Sequence, residues 1–178
     1  QNCLTDLDVS CDLIFSTEYN SNGYKKIKLL DDRLVCVVSK KLIKKIYGKY
    51  SKEKLEELKT ANPLDALREL PFVALSSSAT NLLYADNSIS HMFSEKKIQI
   101  ITRTNSIGYV NSLCRSGQQA CIVNEHHFKH SGEYDSDILI LPIKELPKIV
   151  MYLYYLRESS LNPYVKKFIE TAKNYFKT

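Results

Sequence analysis

Hydrophobic residues gather along this chain in short runs that stop abruptly at hydroxyl or turn residues. The first is Leu13-Ile14-Phe15, closed by Ser16-Thr17-Glu18. Leu34–Val38 is continuously apolar, and Phe72–Leu75 runs straight into Ser76-Ser77-Ser78. Ile98–Ile101, Ala120–Val123, Ile138–Leu141 and Ile149–Leu156 are of the same kind, the last dense in tyrosine. Such runs predict β-strands, and the opening one reads as a strand buried in a parallel sheet. Between the runs the period changes to a helical one: Leu42, Ile43 and Ile46; Leu55 and Leu58 behind a Ser51 cap; Ile107, Val110, Leu113 and Cys114 ahead of Gly117. Val165, Phe168, Ile169 and Ala172 follow Pro163 in the same way. Further helical segments are predicted at Leu64–Leu70, Asn81–Phe93 and His126–His130, and Thr102–Ser106 reads as a polar turn. Strands alternating with helices predict an α/β fold with a parallel or mixed sheet and right-handed crossovers.

The places where apolar strands give way to hydroxyls are the candidate site. In open α/β sheets the carboxyl ends of the strands are where ligands bind. Ser16 and Thr17 stand at one such end and Ser76, Ser77 and Ser78 at another, with Thr104, Asn105 and Ser106 before the helix that starts near Ile107. Hydroxyls together with helix-start N–H groups suit a small anion or carboxylate without a buried lysine or arginine. The same residue types also serve as ordinary helix caps, so the group carries more weight than any one member.

Composition narrows the class. At 178 residues, 44% hydrophobic and 25% charged, with 5 Gly and 5 Pro, the chain is an ordinary globular protein of one domain or two small lobes, not a disordered or collagen-like one. The net charge of +5 is mild. Its lysines fall in interrupted groups (Lys25-Lys26-Lys28, Lys40-Lys41-Lys44-Lys45, Lys166-Lys167), which reads as solvated faces rather than a nucleic-acid groove. The five cysteines form no CxxC pair, and three lie inside apolar runs, where a thiol behaves as a small hydrophobe, so free thiols in a reducing compartment are expected. No apolar run approaches the length of a membrane span, and no basic-then-apolar leader opens the chain, so a cytoplasmic location is expected. The opening Gln1-Asn2-Cys3-Leu4 suggests a piece of a longer protein.

Other chemistry is weaker. His126, His127 and His130 with Glu125 lack a matching thiolate or further histidine, so no metal is expected. Cys114 and Cys121 would make a peroxide-sensing pair only if one were an accessible thiolate, which an apolar strand disfavours. No nucleophile elbow, phosphate loop or zinc-protease helix is present, and Glu18 is the one candidate acid–base group for an enzyme on this fold.

The order of segments is itself informative. Asp12-Leu13-Ile14-Phe15, Leu34–Ser39, Leu70–Leu75, Thr104–Gly117 with the strand after it, and the closing Ser159–Phe176 segment together resemble the effector-binding domain of LysR-type transcriptional regulators. The resemblance covers essentially the whole chain. It implies the two-lobe, type 2 periplasmic-binding-protein-like α/β fold, each lobe a mixed sheet flanked by helices, with an effector bound between the lobes. Mapped onto this chain, residues 1–39 with 157–178 form the first lobe and 40–156 the second. Ser16 and Thr17 would then face Ser76, Ser77 and Ser78, with Thr104, Asn105 and Ser106 completing the wall. The chain departs from the family pattern at Gln118-Gln119 and Asn124, where a Gly and a Pro are usual. The family's first strand and helix, and its winged helix-turn-helix DNA-binding domain, have no counterpart in this sequence. The resemblance implies a non-enzymatic sensor without cofactor. Its partners would be a small effector (a carboxylate, an amino-acid derivative or an inorganic anion) and further copies of itself, as a dimer or tetramer, with DNA contacted only through the absent domain. A transporter's solute-binding protein and a dehydratase-like enzyme are the alternatives on the same fold.

Overall fold

A computed structural model describes residues 12–17, 23–76, 94–132, 135–146, 148–157 and 162–176. Ser77, Ser78, Glu18 and the helix expected over Asn81–Phe93 lie outside them. The chain forms two compact units, Gln1–Asp32 with Lys148–Thr178 (unit 1) and Arg33–Pro147 (unit 2).

Unit 2 is built on a mixed sheet with, among the described residues, five strands in the order β5-β4-β6-β3-β7. These are β3 (Leu34–Ser39), β4 (Pro71–Leu75), β5 (Gln99–Thr104), β6 (Ala120–Asn124) and β7 (Ile138–Pro142). All residues of β3 and β6 are buried, as the apolar runs Leu34–Val38 and Ala120–Val123 require of strands covered on both faces. β4 pairs in parallel with β5 and β6, while β3 runs antiparallel to both β6 and β7. β5 extends through Thr104, in register with Leu75, where the sequence pattern predicts a polar turn after Ile101. It borders the sheet among the described residues and alternates exposed with half-buried positions, so its polar residues fit a half-solvated strand.

Helices follow the strands. α1 (Lys40–Tyr47) starts from the Ser39 hydroxyl, which accepts from the Leu42 amide at 3.0 Å, and buries Leu42 and Ile43. Ile46, expected on that face, is 43% exposed. A 3₁₀ turn (Gly48–Tyr50) leads directly into α2 (Ser51–Glu57), so Ser51 begins the helix rather than capping it. α3 (Pro63–Ala66) is capped by Asn62, and α4 (Ile107–Arg115) by Ser106, with Gly117 ending α4 at φ +76°. α5 (Glu125–His130) follows β6 without a break. Val110, Leu113 and Cys114 of α4 and Phe128 of α5 pack on Val35, Val37, Val73, Cys121 and Val123 as one core.

Among the described residues unit 1 holds a three-stranded antiparallel sheet in the order β1-β8-β2, where β1 is Leu13–Ser16, β2 Tyr24–Asp32 and β8 Ile149–Leu156. β1 therefore pairs antiparallel with β8, and Phe15 is 47% exposed; the expectation of a buried parallel strand is corrected. An apolar run shows that a strand has something to bury, but not which strand lies beside it. α6 (Pro163–Tyr175), capped by Asn162, lays Ala172 and Ile169 on Leu13, Leu29, Leu153 and Met151. The strand pairings assign β3 to unit 2 and β8 to unit 1, so the crossings fall at 32/33 and 147/148 instead of at 39 and 156.

Candidate functional site

The sheet of unit 2 has a topological switch point. From β4 the chain moves to β5 on one side, then α4 carries it across to β6 on the other side of β4. Crevices at the carboxyl ends of strands at such a point are the usual ligand site of open α/β sheets. Ser76 follows β4 there, and its amide donates to the Thr104 carbonyl at 2.8 Å, joining the two strand ends. The Thr104 hydroxyl accepts from the Ser106 amide at 3.1 Å, and the Ser106 hydroxyl accepts from the Tyr109 amide at 3.2 Å. Those bonds use each oxygen as an acceptor, and a hydroxyl so engaged retains its own O–H to donate. The first amides of α4, at Ile107 and Gly108, precede the capped Tyr109 and carry the positive end of the helix dipole. Four of the expected residues, Ser76, Thr104, Asn105 and Ser106, thus stand at one edge of unit 2, two of them as caps and turn-formers as well.

The same edge carries residues that the sequence pattern alone does not single out. Asn124 ends β6, is 6% exposed, and lies opposite Leu34. Beyond it the Glu125 amide donates to the Arg33 carbonyl at 2.9 Å, and the Arg33 guanidinium and Lys129 ammonium both bind the Glu125 carboxylate. Arg33 is the largest influence holding the Glu125 carboxyl below its ordinary range, with Lys129 adding to it against a smaller opposing effect of burial. The signal for this corner is an apolar strand, Ala120–Val123, ending in a polar residue, the pattern that singles out Ser16 and Ser76. α4 is braced against α5 by Asn111 Nδ2 donating to Ser131 Oγ at 2.8 Å. Arg115 donates to the Phe128 carbonyl at 3.0 Å, its guanidinium lying 4.4 Å from the Phe128 ring centre.

In unit 1, Ser16 is the last residue of β1, 7% exposed, and opposite Tyr152. Phe15 turns toward α6, its ring 6.0 Å from that of Phe168, so by strand alternation Ser16 shares the opposite face with Ile14, Tyr152 and Tyr154. Thr17 is half-buried just past the strand end.

Burial pushes the Cys36 thiol well up, and Cys121, hydrogen-bonded to Cys114, is also raised; all three thiols are buried and free. Among the described residues no cluster of His, Cys, Asp or Glu is arranged to hold a metal, and no helix is long and apolar enough to cross a membrane.

Comparison with solved structures finds the same fold in transcriptional regulators. The regulatory domain of CcmR from Synechocystis PCC6803, in complex with 2-PG, matches with a TM-score of 0.62 at 17% identity, over 95% of this chain and 75% of that one. The effector-binding domain of QuiR in complex with shikimate matches with a TM-score of 0.56 at 20% identity, over 93% and 72%. Full-length CbnR complexed with its target DNA matches with a TM-score of 0.56 at 16% identity, over 93% of this chain and 52% of that one, so the chain spans about half the length of that regulator. A comparison with curated protein sequences finds no match. The family model of the LysR substrate binding domain matches residues 6–177, and the chain belongs to that family.

Proposed function

We propose that this chain is the effector-sensing domain of a LysR-type transcriptional regulator, a binding module rather than an enzyme, working in the cytoplasm as a dimer or tetramer. Its effector is a small anionic or polar metabolite: a carboxylate, an amino-acid derivative or an inorganic anion. The observation that carries this reading is the switch-point edge of unit 2, where Ser76, Thr104 and Ser106 meet the start of α4. Hydroxyl donors and a helix N-terminus stabilise an anion without a charged partner. Asn105, Ser77 and Ser78 are further candidate ligands on the same unit, and Ser16 and Thr17 of unit 1 are candidates from the sequence pattern. The family membership and the effector complexes of CcmR and QuiR support a small-molecule site in this domain. Effector binding favours one arrangement of the domain over another, and that preference reaches winged helix-turn-helix domains elsewhere in the regulator.

A thermal-shift screen of the purified chain against small carboxylates, amino acids, sulfate and phosphate tests this. A ligand at a hundred times its dissociation constant stabilises by about 2.7 kcal/mol, a shift of several degrees. Ser76→Ala and Thr17→Val are expected to abolish the response while changing the unliganded stability by no more than about 0.5 kcal/mol. A responding ligand that ignores both substitutions would place the site elsewhere.

A further inference from the structure

The positive charge of this molecule is concentrated on one segment. Between Arg33 and Lys52 there is no acidic residue, and Lys40, Lys41, Lys44, Lys45, Lys49 and Lys52 lie within it. Against a net charge of +5 for the chain, these six lysines leave the remainder at −1. The fold fixes the direction of the α1 lysines, because Leu42 and Ile43 are buried in the core of unit 2, and all six lysines are exposed. Lys41 and Lys45 are four residues apart on α1, and Lys44 is three from Lys41, so these three share one face. Lys49 lies 4.9 Å from the ring centre of Tyr50, itself 59% exposed. Nearby acids are engaged elsewhere, Glu57 with Lys54 at 2.7 Å and Glu56 with Lys59 at 2.6 Å, while Glu53 sits in the first turn of α2, where the helix dipole favours it. Of the six, Lys41 has an ion pair, a long one to Asp137 at 3.9 Å, and Lys40 donates to the Ser136 carbonyl.

We propose that the exposed lysines of α1, the 3₁₀ turn and the start of α2 together form a sequence-independent contact for the phosphate backbone of duplex DNA, with Lys44, Lys45, Lys49 and Lys52 as its phosphate ligands. Ammonium groups on flexible side chains of an exposed helical surface suit phosphates and not base edges, so the contact adds affinity and positioning but reads no sequence. It goes beyond effector sensing and does not depend on it. The sequence alone suggests a solvated face. What favours a partner is that these six lysines exceed the whole net charge of the chain and leave the rest slightly acidic.

The test is fluorescence anisotropy of a labelled random-sequence duplex with the purified chain. Four neutralised phosphates give a salt slope of about −3.6, so affinity is expected to fall about a hundred-fold between about 50 and 200 mM salt. The fourfold variant K44Q/K45Q/K49Q/K52Q keeps good helix formers on an exposed face, so it folds, and it is expected to lose binding. K166Q/K167Q on α6 removes exposed charge elsewhere and is expected to bind as the parent does. No binding at about 50 mM salt, or equal binding by the fourfold variant, overturns the proposal. So does adsorption to phosphatidylserine vesicles without affinity for DNA. The effector screen, repeated on the fourfold variant, separates the two readings, because loss of DNA binding with an intact thermal response concerns this face alone.

Discussion

Gly117 shows how a single residue joins two elements. At φ +76° it occupies a conformation that side chains resist, and an added Cβ would lie 2.9 Å from Ser39 Oγ and 3.2 Å from Lys41 Cβ. Ser39 is already committed, as its hydroxyl caps α1. Gly117→Ala is therefore expected to destabilise by about 2 kcal/mol and Ser39→Ala by about 1 kcal/mol. Because removing the hydroxyl relieves the collision, the double variant should fall short of the sum by about 0.5 kcal/mol or more; urea denaturation of the four proteins measures it. Additive losses would mean that the two sites do not touch. Glu125 supplies a second case, governed by charge. Arg33 and Lys129 lower its folded pKa, so its contribution is present above the ordinary carboxylate value of 4.5 and is lost as pH falls through the depressed one. Glu125→Gln should cost about 0.5–1 kcal/mol at neutral pH and nothing near pH 2, where both side chains are uncharged. An offset unchanged between those conditions would trace the loss to packing instead.

At the scale of elements, what could be read from the sequence depended on whether neighbours mattered. β3, β4, β6 and β7 were legible because continuous apolar runs admit few alternatives, α1 because Leu42 and Ile43 share a helical face, α4 because its face ends at Gly117, and α6 because it begins at Asn162-Pro163. What was missed depended on partners: β1 turned out antiparallel and half-exposed, β5 continued through Thr102-Arg103-Thr104 because an edge strand tolerates alternating polar residues, and Ser51 lost its cap role to the preceding 3₁₀ turn. For the site, Ser76, Thr104 and Ser106 were recognisable as hydroxyls at element ends, whereas Arg33 and Glu125 come together only through the β3–β6 pairing. The buried thiols carry a prediction at this scale. Cys36 and Cys121 lie inside strands and Cys114 on the covered face of α4, with Cys114 donating to the Val37 carbonyl at 3.3 Å. In a Cys3→Ser/Cys11→Ser background, Ellman's reagent should find no reactive thiol in the folded chain and all three in denaturant. Rapid modification of Cys121 in the native state would show that β6 is accessible, and would reopen a thiol-sensing role.

Across the whole molecule the two units share a strand logic. In unit 2, β6-β3-β7 places the entering strand β3 between two antiparallel partners, and in unit 1, β1-β8-β2 does the same with the returning strand β8. Their cores differ. Unit 2 buries complete strands, while the described core of unit 1 rests on Leu29, Leu153 and Ala172 with half-buried Leu13, Met151, Ile169 and Phe176. Opening free energy follows buried contact, so amide exchange should be slowest in β3, β4 and β6 and faster in β1, with β8 between them. This gradient gives effector binding a distinctive readout. A ligand held only at the switch-point edge would slow exchange around Ser76, Thr104 and the start of α4 and leave β1 unchanged. A ligand that also takes Ser16 or Thr17 must slow the exchange of β1, the strand with most protection to gain. At a hundred-fold excess over the dissociation constant the ceiling is about 2.7 kcal/mol, or about a hundred-fold in exchange rate. Protection confined to unit 2 would restrict the site to that unit and exclude Ser16 and Thr17 as effector ligands.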